Sequence, residues 1–196
     1  INMNKIINGL IAMAKDQNQP HEFNQNRLGS WTHGDGWGIA YLKENHWVVN
    51  RSTKAIYEDD SLQRFRNIKS NAVIMHVRKK SIGEIIPENT HPFYENRVSI
   101  GEYVFCHNGT INSDLNYSLE FSAKGQTDSE QLFYSILTNL KQKKIIDAVR
   151  NSLKKIDSIS GTNLILANHE RSLIATKKSN RPKYYQMSLG KKEDCI

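Results

Sequence analysis

The sequence contains few cysteines and no long apolar run. Cys106 and Cys195 are the two cysteines among its 196 residues, and two cysteines cannot form a disulfide framework or a four-cysteine zinc site. We therefore expect a reducing, cytoplasmic setting. No apolar stretch approaches the roughly 20 residues that a membrane helix needs, and the first residues lack the pattern of a secretory signal. A membrane partner is not expected.

The chain has an excess of basic residues, but these residues are not clustered in the sequence. Lysine and arginine number 27 against 20 acidic residues, which gives a formal net charge of +7. The basic residues are scattered in short stretches, and scattered charge is a weak footprint for nucleic acid, so we expect no nucleic-acid partner. Hydrophobic residues make up 38% and charged residues 24%, a globular balance that predicts a single domain over residues 1–196 with one sizeable core.

The order of predicted elements favours an α+β fold. Helical spacing predicts helices at 3–17, 59–68, 128–142 and 145–156, the third capped by Asp128. Strand patterns occur at 36–42, 46–52, 72–78, 103–107, 162–170, 171–178 and 183–190, and loops are expected at 18–33 and 79–96. Because helices and strands come in blocks rather than in alternation, we expect antiparallel sheets that are covered by helices.

The stretch YVFCHNGTI (103–111) offers two different kinds of chemistry. Cys106 beside His107 has the composition of a nucleophile with its base, but its place in an apolar strand favours a small buried hydrophobe. Asn108 offers a side-chain NH₂ and Gly109 an unobstructed backbone N–H, which together are the parts of an oxyanion hole. Asn-Gly is also a strong turn signal, and on these residues alone the turn is favoured.

Arg78 and Asp128 could hold the two ends of an α-amino acid. Arg78 ends a predicted buried strand, where its guanidinium can bind a carboxylate through two hydrogen bonds. The alternative is a structural ion pair with Asp35 or Glu88. Asp128 begins a predicted helix, where a carboxylate can receive an ammonium group or cap the helix. The residues alone leave these alternatives open.

Histidines raise the question of a metal. The candidate ligands are His33, Asp35, His76, His91 and His107. No H-x-H or H-E-x-x-H spacing occurs, so we expect no metal and no cofactor. We expect His76 and His107 to be core or loop histidines whose hydrogen bonds are satisfied. A metal-dependent hydrolase that uses His33, Asp35 and His91 remains an alternative.

Five stretches together resemble one protein family. They are HGDGWGIAYL (33–42), HVRKKSIG (76–83), ENTHPF (88–93), CHNGTI (106–111) and TDSE (127–130). In this order they resemble the motifs of the class II glutamine amidotransferases, a branch of the N-terminal-nucleophile (Ntn) hydrolases. The resemblance covers about residues 31–135, and the form of the first motif is most similar to the small stand-alone branch of the family.

The resemblance implies a fold, a reaction and a set of roles. The fold is a four-layer αββα sandwich of antiparallel sheets. The reaction is hydrolysis of the side-chain amide of glutamine, or of a related γ-glutamyl compound, with release of ammonia. Asn108 and Gly109 would form the oxyanion hole, Arg78 would bind the substrate α-carboxylate, and Asp128 would bind the α-amino group.

Further residues take lesser roles in the same resemblance. Ser81 and His91 match positions that line the substrate pocket. Asp35 and Gly36 match a segment behind the site, together with Gly38, and are expected to be structural rather than catalytic.

One departure from the family pattern concerns the nucleophile. The family uses a cysteine at the N-terminus of the mature chain, with its own α-amino group as base, whose pKa of ~7.7–8.0 suits that role. Here residue 1 is Ile1, and Cys106 is the first cysteine. We therefore expect a domain truncated at both ends, without its first strand. The alternative is a non-catalytic module that binds glutamine or docks to a synthase. An active enzyme would release ammonia or pass it to a separate synthase.

Overall fold

The computed structural model describes residues 2–16, 32–154, 156, 159–177, 185–188 and 190. Most of the predicted loop at 18–33 lies outside these ranges. The elements are α1 (Met3–Lys15), β1 (Trp37–Lys43), β2 (His46–Ser52), a 3₁₀ helix (Asp60–Phe65), β3 (Val73–Val77), a short 3₁₀ helix (Pro87–Asn89), β4 (Phe93–Arg97), β5 (Gly101–Ile111), α2 (Asp128–Leu140), α3 (Ile145–Lys154), β6 (Ile159–Ala167) and β7 (Ser172–Lys177). No helix in these ranges is long and apolar enough to cross a membrane.

The first sheet is antiparallel, with the strand order β2-β1-β3. The strands predicted at 36–42 and 46–52 are confirmed as β1 and β2, and they form a hairpin. Its two turn residues, Glu44 and Asn45, both have positive φ, at 51° and 65°, as the right-handed twist of a two-residue hairpin requires. Side chains alternate along β1, so Ile39 packs toward α1 while Ala40 faces the second sheet.

The second sheet is also antiparallel, with the order β4-β5-β6-β7. Along β5, Phe105 packs on the side of α2 and α3, whereas Val104 and Cys106 face the first sheet. β4 pairs with residues 101–105 of β5, and β6 pairs with residues 104–111. Within the described ranges, residues 106–111 therefore have a paired strand on one side and an open edge on the other.

Three buried clusters separate four layers. One lies between α1 and the first sheet, one between the two sheets, and one between the second sheet and helices α2 and α3. In the third cluster the rings of Phe105 and Phe133 stack with centroids 5.3 Å apart, and burying a side chain of this size contributes ~1.5–3 kcal/mol. The predicted α+β, four-layer αββα sandwich is confirmed.

Two predictions about strands were wrong in and beside the stretch YVFCHNGTI (103–111). β5 does not end at His107 but continues to Ile111, so Asn108 and Gly109 lie within a paired strand and do not form the turn that their dipeptide favours. β4 occupies part of the predicted loop at 79–96. Its sequence carries turn formers, but pairing with β5 overrides this local preference.

Other corrections are smaller. The predicted helix at 59–68 is a six-residue 3₁₀ helix that Asp59 caps, since its side chain accepts from the N–H of Ser61. Thr127, not Asp128, caps α2. Residues 185–188 form no strand, although a strand was predicted at 183–190. The rest of that stretch lies mostly outside the described ranges.

Candidate active site

Arg78 follows directly after β3 and is held in place by its own backbone. Its N–H donates to the carbonyl oxygen of Gly36 at 2.8 Å, and its carbonyl oxygen accepts from the N–H of Asp35 at 3.1 Å. The side chain is only 5% exposed. Its guanidinium donates to the carbonyl oxygens of Ile82 at 3.1 Å and Glu84 at 3.0 Å. The loop after β3 is therefore wrapped around the arginine.

The alternative of a structural ion pair for Arg78 is not observed. Neither Asp35 nor Glu88 forms a salt bridge with it. Burial lowers the pKa of Arg78, and the nearby negative charge of Asp35 partly opposes that shift. The result is a buried guanidinium that is hydrogen-bonded to neutral carbonyl groups, with no carboxylate bound to it in the described part of the chain.

Asp35 and Gly36 support the segment around Arg78. Asp35 Oδ2 accepts from the N–H of Lys80 at 2.7 Å, which fixes the chain two residues after the arginine. Gly36 has φ +125°, and a Cβ there would lie 2.7 Å from the carbonyl oxygen of Ser52, so a larger residue would be strained. These contacts give both residues a structural part.

Asp128 connects the start of α2 to the end of β5. Thr127 caps the helix, since its Oγ1 accepts from the N–H of Glu130 at 3.3 Å. The carboxylate of Asp128 is therefore not used for the cap, and its Oδ2 accepts from the N–H of Ile111 at 2.6 Å. Burial raises the pKa of Asp128, while hydrogen bonds from the backbone N–H groups of Ile111 and Ser129 oppose that shift.

Asn108 and Gly109 lie two and three residues before Ile111 on β5. The side chain of Asn108 is exposed and lies on the strand face that Val104 and Cys106 share, toward the first sheet. Gly109 has no room for a side chain, because a Cβ would overlap the carbonyl oxygen of Gly161 and lie 2.8 Å from His107 Nε2. The pair thus combines an exposed amide with a backbone position that has space only for glycine.

Three histidines form a group beside these residues, of which His91 and His107 are buried and His76 is half-buried. The rings of His76 and His91 have centroids 4.5 Å apart, and His107 Nδ1 lies 2.8 Å from Ser129 Oγ. Burial lowers the pKa of His76 to about 4 and that of His107 to about 3. It also lowers the pKa of His91 well below the ordinary value. All three imidazoles are therefore neutral at pH 7.

Several ring nitrogens in this group have no hydrogen-bond partner among the residues that the structure describes. They are Nδ1 of His76, both ring nitrogens of His91, and Nε2 of His107. Nδ1 of His33, outside this group, has no partner in the same residues either. Yet within the described residues no group of three or more His, Cys, Asp or Glu side chains is arranged to hold a metal ion. The metal-dependent alternative based on His33, Asp35 and His91 has no ligand set there.

Comparison with known proteins identifies the family of this chain. The family model of class II glutamine amidotransferases matches residues 10–183. The chain belongs to the class II glutamine amidotransferases. A Haemophilus influenzae protein that carries the provisional name of a glutamine amidotransferase is 32% identical over 150 residues, which cover 70% of this chain and 50% of that protein. An uncharacterized protein of Methanocaldococcus jannaschii is also 32% identical, over 69% of this chain and 39% of its own length.

A solved structure shows the same fold. The class II glutamine aminotransferase domain protein of Silicibacter pomeroyi superposes with a TM-score of 0.60 at 20% identity, over 74% of this chain and 70% of that one. At this identity the likeness concerns the fold. The chain spans half or less of the length of the two relatives named above.

In this class II glutamine amidotransferase domain, hydrogen bonds connect the segments that carry the predicted site residues. The end of β3 carries Arg78, the end of β5 carries Asn108 and Gly109, and the start of α2 carries Asp128, which is bonded to β5. Ser81 lies exposed in the loop that surrounds the Arg78 guanidinium. His91 is buried between the rings of His76 and Phe93, so it forms part of a wall.

Sequence reasoning missed two polar residues of this region. Asn89 is fully buried and bonded to two loops. Glu130 is buried, and its carboxylate accepts from the N–H groups of Lys124 at 2.9 Å and Gly125 at 2.8 Å. Both lie inside quoted motifs, ENTHPF and TDSE, but no spacing rule indicates that their side chains turn inward to bind backbone groups.

Proposed function

We propose that the protein hydrolyses the side-chain amide of L-glutamine, or of a related γ-glutamyl compound, through a cysteine thioester. The nucleophile is the N-terminal cysteine that the family resemblance implies, which is not among the 196 residues. The observation that carries the proposal is the buried Arg78, which has no carboxylate bound to it among the described residues. Hydrogen bonds through Asn89 connect its loop to the segment that precedes Asp128, and Asp128 is bonded to the strand that carries Asn108 and Gly109.

Arg78 and Asp128 give the proposal its substrate class. A buried cation that lacks a carboxylate partner gains from one supplied by a ligand, because the desolvation cost has already been paid by the fold. Arg78 has further N–H donors besides the two that bind Ile82 and Glu84, and these would bind the α-carboxylate. Asp128 would accept hydrogen bonds from the α-ammonium group. A free α-amino-acid end is thereby selected.

The chemistry follows from the proposed placement of charges. The cysteine sulfur bonds to the γ-carbonyl carbon, its proton passes to the α-amino group of the same cysteine, and the carbonyl π electrons move to oxygen. Asn108 Nδ2 and the Gly109 N–H would donate to that oxyanion. Collapse breaks the C–N bond, and the leaving nitrogen takes the proton and departs as ammonia. Water then cleaves the thioester to glutamate and restores the thiol.

Cys106 is a poor alternative nucleophile. It is 6% exposed and lies in the cluster between the two sheets. Burial raises the pKa of its thiol, which the positive charge of Arg51 only partly opposes. Since the thiolate is the reactive form, Cys106 stays protonated and inert at neutral pH. Its place in the core, rather than its neighbour His107, decides its role.

The fate of the ammonia belongs to the same proposal. The domain would either release ammonia or pass it to a separate synthase, and both choices require that the hydrolysis itself occurs. The reducing, cytoplasmic setting predicted from the low cysteine content suits a catalytic thiol and stays a prediction.

The experiment is an assay of the complete protein, with its native N-terminus, for glutamate and ammonia release. We expect turnover of L-glutamine or a γ-glutamyl amide. Asp128→Asn is the matched variant, because the amide oxygen can still accept from the Ile111 N–H while the charge is lost; kcat/KM should fall at least ~10-fold, as loss of a charged hydrogen bond of ~1.5–3 kcal/mol implies. Absence of turnover with an intact N-terminal cysteine would contradict the proposal, and binding of glutamine without turnover would favour the non-catalytic module.

A further inference from the structure

Asn89 is fully buried and uses its whole side-chain amide. It lies at the end of the short 3₁₀ helix Pro87–Asn89 and is 0% exposed. Its Nδ2 donates to the carbonyl oxygen of Glu84 at 3.0 Å and to Gln126 Oε1 at 2.7 Å. Its Oδ1 accepts from the backbone N–H of Gln126 at 2.8 Å. Both donor hydrogens and the acceptor oxygen are therefore occupied.

The two segments that Asn89 joins carry the two proposed substrate-binding charges. The carbonyl oxygen of Glu84 also accepts from Arg78 Nη1, at 3.0 Å. Gln126 lies two residues before Asp128, and its Oε1 also accepts from the Glu84 N–H at 3.3 Å. A continuous path of hydrogen bonds thus runs from the Arg78 guanidinium through Asn89 to the start of α2.

Glycines on both segments leave the space that this side chain occupies. A Cβ on Gly83, which has φ +78°, would lie 2.8 Å from Asn89 Nδ2, and a Cβ on Gly125 would overlap Asn89 Oδ1. The backbone at Gly125 is fixed from the other side, because its N–H donates to the carboxylate of Glu130. The slot therefore has rigid walls and admits an amide of this size.

We propose that Asn89 is a positioning residue that sets the separation between the Arg78 guanidinium and the Asp128 carboxylate. It thereby makes the site selective for substrates with a free α-amino and α-carboxylate end. This inference rests on the proposed function. The oxyanion donors Asn108 and Gly109 lie on β5, which Asn89 does not contact through any of these hydrogen bonds, so the effect concerns substrate binding rather than the chemical step.

The isosteric variant Asn89→Asp tests the role of the amide. It replaces the NH₂ with an oxygen that faces two acceptors, the Glu84 carbonyl and Gln126 Oε1. In the complete protein we expect the KM for L-glutamine to rise at least tenfold while kcat changes less than threefold. The preference for L-glutamine over glutaramic acid, which lacks the α-amino group, should fall at least tenfold in kcat/KM. Asn71→Asp makes the same chemical change at an exposed loop position and should match the wild type.

A second pair of variants covers the case in which Asn89→Asp does not fold. Gly125→Ala pushes a methyl group against Asn89 Oδ1 and should raise the KM in the same sense. Gly9→Ala is its control, since nothing lies within 4 Å of a Cβ there. Circular dichroism of each variant confirms folding before the kinetics are compared.

The outcomes separate the two proposals. A wild-type protein that turns over no γ-glutamyl amide overturns the proposed function and this inference with it. A wild-type protein that is active, with folded Asn89→Asp or Gly125→Ala variants whose KM and substrate preference are unchanged, overturns this inference alone. Equal losses in kcat for L-glutamine and for glutaramic acid, with KM unchanged, would assign Asn89 a general structural role and would also overturn it.

Discussion

At the scale of single residues, burial decides which of two side chains on the same face of β5, Cys106 or Asn108, is accessible. Cys106 and Asn108 face the same side of β5, but Cys106 is enclosed between the sheets and Asn108 is exposed. The thiol is thereby kept protonated, while the amide stays accessible. Because Cys106 lies in an apolar strand, where a free cysteine is most often a small buried hydrophobe, its burial could be predicted from the sequence. The extension of β5 through the Asn-Gly pair could not.

Cys106→Ala should leave the turnover of the complete protein unchanged. The free energy of unfolding should fall by about 1 kcal/mol, because the change removes a group of methylene size from a packed cluster. Steady-state kinetics and urea denaturation measure the two effects. Cys106→Ser serves as the comparison: it should be less stable still, since a buried hydroxyl needs a partner, yet equally active. Loss of activity in a folded Cys106→Ala protein would make Cys106 the nucleophile.

At the scale of elements, long periodic segments were predicted well and segments that depend on partners were not. The helix predicted at 128–142 is confirmed as α2, and Leu132 and Ile136 on its inner side are completely buried. β4 was missed because Pro92 and Asn96 read locally as loop formers, and only the pairing with β5 makes the segment a strand. The α2 cap was misassigned by one residue because Thr127 and Asp128 are both good caps, and the Ile111 N–H binds Asp128 instead.

Thr127 should contribute to α2 through its hydroxyl group. Thr127→Ala removes the acceptor for the Glu130 N–H and should lower the free energy of unfolding by ~1 kcal/mol. Thr127→Ser keeps the hydroxyl and should lose clearly less. Chemical denaturation of both variants makes the comparison, and equal losses would show that packing of the Thr127 methyl group against the Gly83 loop, rather than capping, is responsible.

At the scale of the whole molecule, the two sheets bring together groups that are far apart in sequence. His76 lies on β3, His91 precedes β4 and His107 lies on β5. Yet the rings of His76 and His91 are 4.5 Å apart, and both His76 and His107 help to lower the pKa of His91. The sequence predicted only that such histidines would be satisfied in the core or in loops. Among the described residues, His107 Nδ1 lies 2.8 Å from Ser129 Oγ, while His76 Nδ1 and His107 Nε2 have no partner. That cluster depends on the packing of the sheets, which no local pattern encodes.

The buried histidines should make stability fall in weak acid. Because burial lowers the folded-state pKa of His76 to about 4 and of His107 to about 3, the unfolded chain binds more protons once the pH falls below its ordinary histidine pKa of ~6.5. Their stabilising contribution is present in full above that pH and is lost progressively toward the folded values. Each such histidine adds up to ~1.4 kcal/mol per pH unit to the slope of the free energy of unfolding against pH.

Urea titrations between pH 7.5 and pH 5 measure this slope. His76→Gln should reduce it by up to ~1.4 kcal/mol per pH unit. Asn71→Gln introduces glutamine at an exposed position without removing an imidazole and is the control, which should keep the wild-type slope. A His76→Gln protein with an undiminished slope would show that other groups cause the acid sensitivity.

The central claim is that this domain holds a γ-glutamyl substrate for attack by an N-terminal cysteine and not by Cys106. A γ-diazoketone analogue of glutamine, incubated with the complete protein and followed by peptide mapping, tests it most directly. We expect one label, on the N-terminal cysteine, that is lost when excess L-glutamine competes and strongly reduced in Asp128→Asn. A label on Cys106, or no label in a folded protein with its N-terminal cysteine intact, would contradict it.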